Sequence, residues 1–136
     1  MLIDTSIWSL SLRRKPEVLS DKERSLVATL ADLIRQKEVV VLGVIRQELL
    51  SGIRAEPQFE SVRTRLRGWR DEPIETNDWE EAARCSNSIR SSGIVGSPAD
   101  CMICAIAFRR SFEIFTTDFD HYAKVLPIRL LPHPSP

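Results

Sequence analysis

Short apolar runs recur along the chain, separated by stretches in which apolar residues return every three or four positions. The runs predict short buried strands, and the spaced positions predict amphipathic helices. Strands that alternate with helices predict a parallel sheet with right-handed crossovers and helices on its faces. The predicted strands cover residues 1–3, 39–42, 73–74, 112–116 and 128–130.

Two capping-box patterns predict where helices begin. Residues 20–23 open a helix whose following leucines lie on one face. Residues 77–80 open another, which ends near Gly93 because glycine is favoured just after a helix C-terminus. The inward positions predicted for this second helix are Trp79, Ala82, Ala83 and Ile89.

Three further helices are predicted, one after Gly43, one from Pro57 to Trp69, and a strongly apolar one that begins at Ser97. In the last of these, Asp100 occupies the first turn, where a carboxylate interacts favourably with the helix dipole. Capping alone therefore accounts for Asp100 as well as a functional role does.

The composition indicates one ordinary globular domain of 136 residues, 43% hydrophobic and 28% charged. Its apolar runs are too short to span a bilayer, and Asp4 interrupts any signal-like start, so a cytoplasmic protein without membrane contact is expected. Nineteen basic residues balance nineteen acidic ones, so any site for a polyanion must be local. The proline-rich residues 132–136 are expected to form a flexible tail.

The three cysteines do not resemble a disulfide framework. Cys101 and Cys104 form a C-x-x-C pair inside an apolar helix, which favours core packing. A zinc site would need a second pair of ligands, and neither His121 nor His133 has a partner at a zinc-like spacing.

Acidic residues follow two of the predicted strands directly. Asp4 comes after the first strand and Asp118 after the strand at 112–116. If the first strand is central, with the second strand on one side and the 112–116 strand on the other, both carboxylates face the crevice at the switch point of the sheet. Glu48 and Asp100 lie near the starts of the helices that flank those strands and can lean into the same crevice. Each has a simpler explanation, since Asp4 and Asp118 are good N-caps and a lone Glu48 is usually solvated.

Four carboxylates that converge at one end of a sheet repel one another and call for a cation. Hard oxygen ligands without a thiolate or imidazole set suit Mg²⁺ or Mn²⁺. The sequence therefore favours a divalent-metal site at this end of the predicted sheet.

The same residues carry a resemblance to the PIN-domain nucleases, and within them most of all to the VapC toxins of toxin–antitoxin pairs. Each motif is weak alone, but their order and spacing together are specific. The matching strings are Leu2-Ile3-Asp4-Thr5-Ser6, Glu48-Leu49-Leu50-x-Gly52, Asp100-x-x-Ile103-x-Ala105, Thr116-Thr117-Asp118 and Tyr122-Ala123-Lys124-x-Leu126-Pro127-Ile128.

This resemblance implies a three-layer PIN-like α/β fold over residues 1–131, with a central, mostly parallel sheet of about five strands flanked by helices. It implies an Mg²⁺-dependent ribonuclease, with Mn²⁺ as a substitute ion. The catalytic residues would be Asp4, Glu48, Asp100 and Asp118, with the three aspartates as metal ligands. An RNA substrate, a VapB-type antitoxin and a homodimer are the partners it implies.

Other polar residues are candidates for positioning the ligands or their water. They are Thr5, Ser6 and Thr116, together with Asp120, whose spacing after Asp118 is shorter than the family's usual pattern. The arginines of the helix after Pro57 either contact RNA phosphates or form a solvated face. These arginines are Arg63, Arg65, Arg67 and Arg70.

Three competing functions remain open at this point. A phosphatase of the haloacid-dehalogenase type would need a second Asp two positions after Asp4, where Ser6 stands. A receiver-like phosphoacceptor switch would need an Asp after a mid-chain strand, and there is none between Asp32 and Asp71. A PIN scaffold without catalytic activity is the third, although all four acids are present.

Overall fold

The computed structural model describes residues 1–118 and 120–122. Helices dominate, and a small parallel sheet lies among them. In chain order the elements are β1 (Leu2–Ile3), α1 (Thr5–Leu12), a 3₁₀ turn (Pro16–Val18), α2 (Asp21–Arg35), α3 (Gly43–Leu50), α4 (Glu56–Leu66), α5 (Thr76–Ser91), α6 (Pro98–Arg110) and β2 (Ile114–Phe115).

The sheet has β1 at its centre. β1 pairs in parallel with β2, with Leu2 opposite Ile114. A parallel bridge joins Leu2 to Val40 on the other side, and a further bridge joins Val41 to Asp71. The strand order on which the switch-point argument depends, with the first strand between the second and the one near residue 112, is therefore present.

Four of the five predicted strands fall among residues 1–118 and 120–122, and two of these four form regular strands there. The strand predicted at 39–42 is reduced to bridges because Leu42 already serves as the N-cap of α3. The minimal strand predicted at 73–74 is replaced by the bridge at Asp71. The strand at 128–130, the helical position Ala123 and the tail at 132–136 lie outside the described residues.

Helix starts agree with their capping signals in two cases and differ in one. Ser20 and Glu23 form the predicted capping box of α2. Ser97 and Asp100 form one at α6. The prediction for α5 is wrong by two residues, because Glu75 is its N-cap and Asp78 completes the box.

The buried face of α5 also differs from the prediction, since Trp79 is 56% exposed and Ala83 lies outside. The buried positions are Asp78, Ala82, Cys85 and Ile89, which recur at helical spacing. The first buried position is the acidic residue Asp78, so the spacing of apolar residues does not reveal it. Ala82 and Ile89 are therefore confirmed as inward positions, and the predictions for Trp79 and Ala83 are wrong.

Asp78 is completely buried and joins α5 to α6 through ion pairs with Arg109 and Arg110. Burial raises the pKa of this carboxyl, but the hydrogen bonds from the backbone N–H of Glu75 and from both arginines outweigh that effect and hold the pKa below its ordinary value. Asp78 is thus a structural carboxylate, separate from the candidate site.

The core is formed around α6, whose residues 101–107 are all buried. Cys85, Cys101 and Cys104 are free and buried in it, so the prediction of core packing for the C-x-x-C pair is confirmed. Within residues 1–118 and 120–122, none of the helices combines the length and the apolar character that crossing a membrane requires.

Candidate functional site

Asp4 follows β1 and is 6% exposed. It stands at the N-cap position of α1, yet its side chain makes no capping hydrogen bond. Instead, its Oδ2 accepts hydrogen bonds from Ser6 Oγ and Thr116 Oγ1, both at 2.8 Å. The alternative that Asp4 only caps the helix is therefore wrong, and its carboxylate faces the junction of β1 and β2.

The two hydroxyls that contact Asp4 are themselves oriented by backbone donors. The backbone N–H of Thr117 donates to Ser6 Oγ at 3.1 Å, and that of Asp118 donates to Thr116 Oγ1 at 3.0 Å. Each hydroxyl accepts from the backbone and donates to the carboxylate, so its proton has a defined direction. The loop after β2 is fixed to Asp4 in this way.

Tyr122 brings Asp4 and Asp100 together. Its hydroxyl oxygen lies 3.0 Å from Asp4 Oδ1 and 3.2 Å from Asp100 Oδ1. The side chain is only 1% exposed. Burial, together with the charges of the two aspartates, raises the pKa of Tyr122, so the hydroxyl stays protonated. A hydroxyl has one proton, so at any moment Tyr122 donates to only one of the two facing carboxylate oxygens.

Asp100 combines a structural role with a place in this cluster. Its backbone N–H and its Oδ2 complete the capping box with Ser97. Its Oδ1 faces Tyr122, and Nε2 of His121 lies 3.5 Å from its Oδ2. Capping therefore explains Asp100 only in part, because one of its oxygens is directed to the same point as Asp4.

Glu48 approaches from α3 and accepts a hydrogen bond from Thr5 Oγ1 at 2.8 Å. Its side chain is exposed, in keeping with its position at a surface crevice. Partial desolvation raises the pKa of Glu48, the Thr5 hydrogen bond opposes this, and the charges of Asp100 and Asp4 raise it further. Glu48 is thus electrostatically coupled to the aspartate pair.

This coupling predicts a pH-dependent effect of Glu48→Gln on stability. Because the pKa of Glu48 is raised in the folded state, ionisation of this carboxyl lowers the free energy of unfolding. The loss is absent below the ordinary pKa of glutamate and complete above the raised pKa of the folded state. In EDTA, the melting temperature of the variant relative to the parent should therefore rise as pH increases through that window. Calorimetry between about pH 4 and pH 8 measures it.

The matched control is Glu80→Gln, which removes one charge from an exposed position on α5. A melting temperature of Glu48→Gln that, relative to the parent, stays level or falls as pH rises would contradict the prediction. It would mean that the hydrogen bond from Thr5 to the carboxylate outweighs the repulsion from Asp4 and Asp100.

Other predicted site residues lie apart from this cluster. Asp118 and Asp120 are exposed, and within the part of the chain that the structure describes no hydrogen bond or ion pair links their side chains to Asp4 or Asp100. Arg63 pairs with Glu60 on the same helix, α4. Arg65, Arg67 and Arg70 are exposed and make no ion pair with the described residues.

The contact of Tyr122 with both aspartates was not among the predicted site features. The sequence signal for it is weak, because Tyr122 reads as an ordinary apolar position of the turn after Asp118. Its spacing, four residues after that aspartate, is one helical turn and directs it back to the same end of the sheet.

Residues of this cluster offer a chemically suitable donor set for a hard divalent cation. The groups that meet are carboxylate and hydroxyl oxygens, which Mg²⁺ and Mn²⁺ prefer. No three His, Cys, Asp or Glu side chains within residues 1–118 and 120–122 form a group ready to hold a metal. The Tyr122 hydroxyl contacts one oxygen of Asp4 and one of Asp100, so these are the two carboxylates that a cation at this point would contact.

Comparison with known proteins identifies both a family and a fold. Residues 1–125 match the PIN domain. The fold is similar to that of the FitAcB complex of Neisseria gonorrhoeae, with 20% sequence identity, coverage of 96% of each chain and a TM-score of 0.72. It is also similar to VapBC2 from Rickettsia felis bound to a promoter DNA fragment, with 12% identity, 96% coverage of each chain and a TM-score of 0.69.

A third similar structure is VapBC-1 from nontypeable Haemophilus influenzae, with 11% identity, coverage of 98% of each chain and a TM-score of 0.69. At these identities the likeness concerns the fold. A search of curated proteins found no match to the chain.

Proposed function

The chain belongs to the PIN domain family, and we propose that it is a metal-dependent endoribonuclease that acts as the toxin of a VapBC-type toxin–antitoxin pair. The observation that carries the proposal is the meeting of Asp4 and Asp100 at the hydroxyl of Tyr122. Two buried or half-buried carboxylates that share one proton donor favour a cation between them. In a nuclease, a cation held by such a pair would bring a phosphodiester and a water together.

In the proposed site, Asp4 and Asp100 hold the ion from the end of β1 and the start of α6. Asp118, exposed on the loop after β2, is proposed as a third ligand that joins when the ion binds. Mg²⁺ or Mn²⁺ would supply Lewis-acid polarisation of the scissile phosphate and a more acidic bound water. The chain itself supplies ligands that are already oriented, through the hydroxyls of Ser6 and Thr116.

Glu48 is proposed to orient the attacking water and accept its proton. Its raised pKa brings its basicity closer to neutral pH than that of an ordinary glutamate, which suits a general base. The hydrogen bond from Thr5 holds the carboxylate toward Asp4 and Asp100. Asp120 is proposed only as an outer neighbour of this group.

The toxin role rests on the family and on the fold shared with solved VapBC and FitAB complexes. An acidic crevice attracts an arginine or lysine of a partner, which would occupy the place of the ion or block the substrate. We therefore propose a VapB-type antitoxin encoded beside this chain as its partner, and a homodimer as its assembly. A cytoplasmic location is part of the same proposal.

One cleavage assay with two additions tests this function. The purified protein with Mg²⁺ or Mn²⁺ should cleave RNA, EDTA should stop the cleavage, and readdition of the ion should restore it. The purified product of the adjacent gene should also stop it when added in stoichiometric amount. Cleavage that persists in EDTA would contradict the metal requirement. Cleavage that continues at the same rate after the product of the adjacent gene is added would contradict the toxin role.

A further inference from the structure

A polar pocket of about 460 Å³ adjoins the carboxylate cluster, between the first turns of α1 and the start of α2. This volume falls within the range of about 300–1,000 Å³ that is typical of small-molecule sites. Four hydroxyl side chains and two cationic ones line much of it. These hydroxyl and cationic residues are Ser6, Ser9, Arg14, Ser20, Lys22 and Thr117.

The pocket shares a wall with the carboxylate cluster. Ser6 lines the pocket and also donates its hydroxyl proton to Asp4, while the backbone N–H of Thr117 donates to Ser6. A substrate held at Asp4 would therefore extend directly into the pocket.

The charge of the pocket is opposite to that of the cluster. Arg14 pairs with Glu23 at 3.0 Å, so its charge is partly neutralised. Lys22 is exposed and makes no ion pair with the residues that the structure describes. The pocket thus keeps an excess of one positive charge beside acids that would repel an anionic strand.

Lys22 occupies an unfavourable position for helix stability. It is the second residue of α2, where the positive end of the helix dipole disfavours a cation and the neighbours Asp21 and Glu23 are the preferred type. Lys22 lowers the stability of α2 and lines the pocket. Its position is therefore better explained by binding of a ligand than by a contribution to folding.

We infer that this pocket binds the phosphate next to the scissile phosphodiester of a single-stranded RNA, an inference that rests on the proposed function. Lys22 provides the main charge, Arg14 a second donor that it shares with Glu23, and the hydroxyls of Ser9 and Ser20 face the attached ribose. The ligand class is a sugar–phosphate backbone, so the contact positions the strand without reading its bases.

The first arm of the test compares Lys22→Gln with the parent in cleavage of a short single-stranded RNA that the parent cuts. We expect the KM to rise roughly 5- to 30-fold, which corresponds to about 1–2 kcal/mol at 1.4 kcal/mol per tenfold, with kcat little changed. The log–log dependence of binding on salt should flatten by about 0.7 units for one lost phosphate contact. The control is Arg84→Gln, which removes one charge from an exposed site on α5.

The second arm locates the contact on the RNA. A methylphosphonate replaces one phosphate at a time on either side of the cleavage position. One neighbouring position should lower kcat/KM in the parent by the same factor as Lys22→Gln, and the loss should not recur when both changes are combined. A loss that adds fully at every position would overturn the assignment of Lys22 to a phosphate.

The outcomes separate this inference from the proposed function. If the parent cleaves no RNA with Mg²⁺ or Mn²⁺, the proposed function fails first. If the parent cleaves RNA but Lys22→Gln keeps its KM and its salt dependence, the pocket inference fails while the function stands. Lys22→Gln should melt at or slightly above the parental temperature, because it removes an unfavourable charge at the start of α2, so misfolding does not explain a raised KM.

Discussion

Asp4→Asn should reduce metal-dependent RNA cleavage by more than about 100-fold while the protein stays folded. Loss of a residue that only supports a metal ligand typically costs about 10- to 100-fold in affinity or activity, and a ligand itself should cost more. Asparagine has the size of aspartate and keeps one oxygen that can accept from Ser6 and Thr116. It lacks the negative charge that draws a cation to the point shared with Asp100.

Single-turnover cleavage with Mg²⁺ and with Mn²⁺ measures this effect, and circular dichroism checks the fold. Asp32→Asn is the matched control, because it removes the same charge from an exposed site on α2 whose side chain, among the described residues, pairs only with Arg35. Parental cleavage by the Asp4 variant would mean that the hydroxyl network around Asp4 serves the fold alone. The metal-site proposal would then lose its central residue.

The parts of the fold that the sequence predicted are those decided by neighbouring residues. The capping box at Ser20 and the helix start at Ser97 depend on groups three positions apart, and both are confirmed. The central place of β1 was a condition of the switch-point argument, and the pairings of Leu2 with Ile114 and Val40 meet it. The five-strand sheet was less predictable, because strand length depends on where the next helix begins, as Leu42 demonstrates.

Features that depend on distant residues were missed. Asp78 is 31 residues from Arg109, so its burial could not be read from the helix pattern, and Trp79 was assigned inward in its place. Tyr122 is 118 residues from Asp4, and a tyrosine carries no local sign that its hydroxyl meets two acids. The candidate acids were recognisable by type and spacing, whereas the contacts that orient them arise only from tertiary packing.

The stability of the metal-free protein should distinguish an acidic residue that caps a helix from one that does not, which the spacing of the acids in the sequence does not do. Asp100 completes a capping box, so Asp100→Asn should lower the free energy of unfolding of the metal-free protein by about 0.5–1 kcal/mol. Its melting temperature without metal should fall accordingly. Asp118 is exposed, and the described residues show no capping bond from its side chain, so Asp118→Asn should leave that baseline nearly unchanged. Baseline stability therefore reports on capping, and the response to metal reports on ligation.

Mn²⁺ should stabilise the parent by about 2.7 kcal/mol at a hundredfold excess over its dissociation constant, because it binds the folded state alone. For a chain of 136 residues this is a rise in melting temperature of roughly 8–13 °C. The Asn variants of Asp4, Asp100 and Asp118 should each lose most of that rise, whatever their baseline. The measurement is a thermal melt of the parent and the three variants across a Mn²⁺ titration in EDTA-stripped buffer, with Asp32→Asn as the control. If all three variants gained as much from Mn²⁺ as the parent, the aspartates would not share a metal, and the pairing of Asp4 with Asp100 at Tyr122 would have to be explained by a shared proton instead.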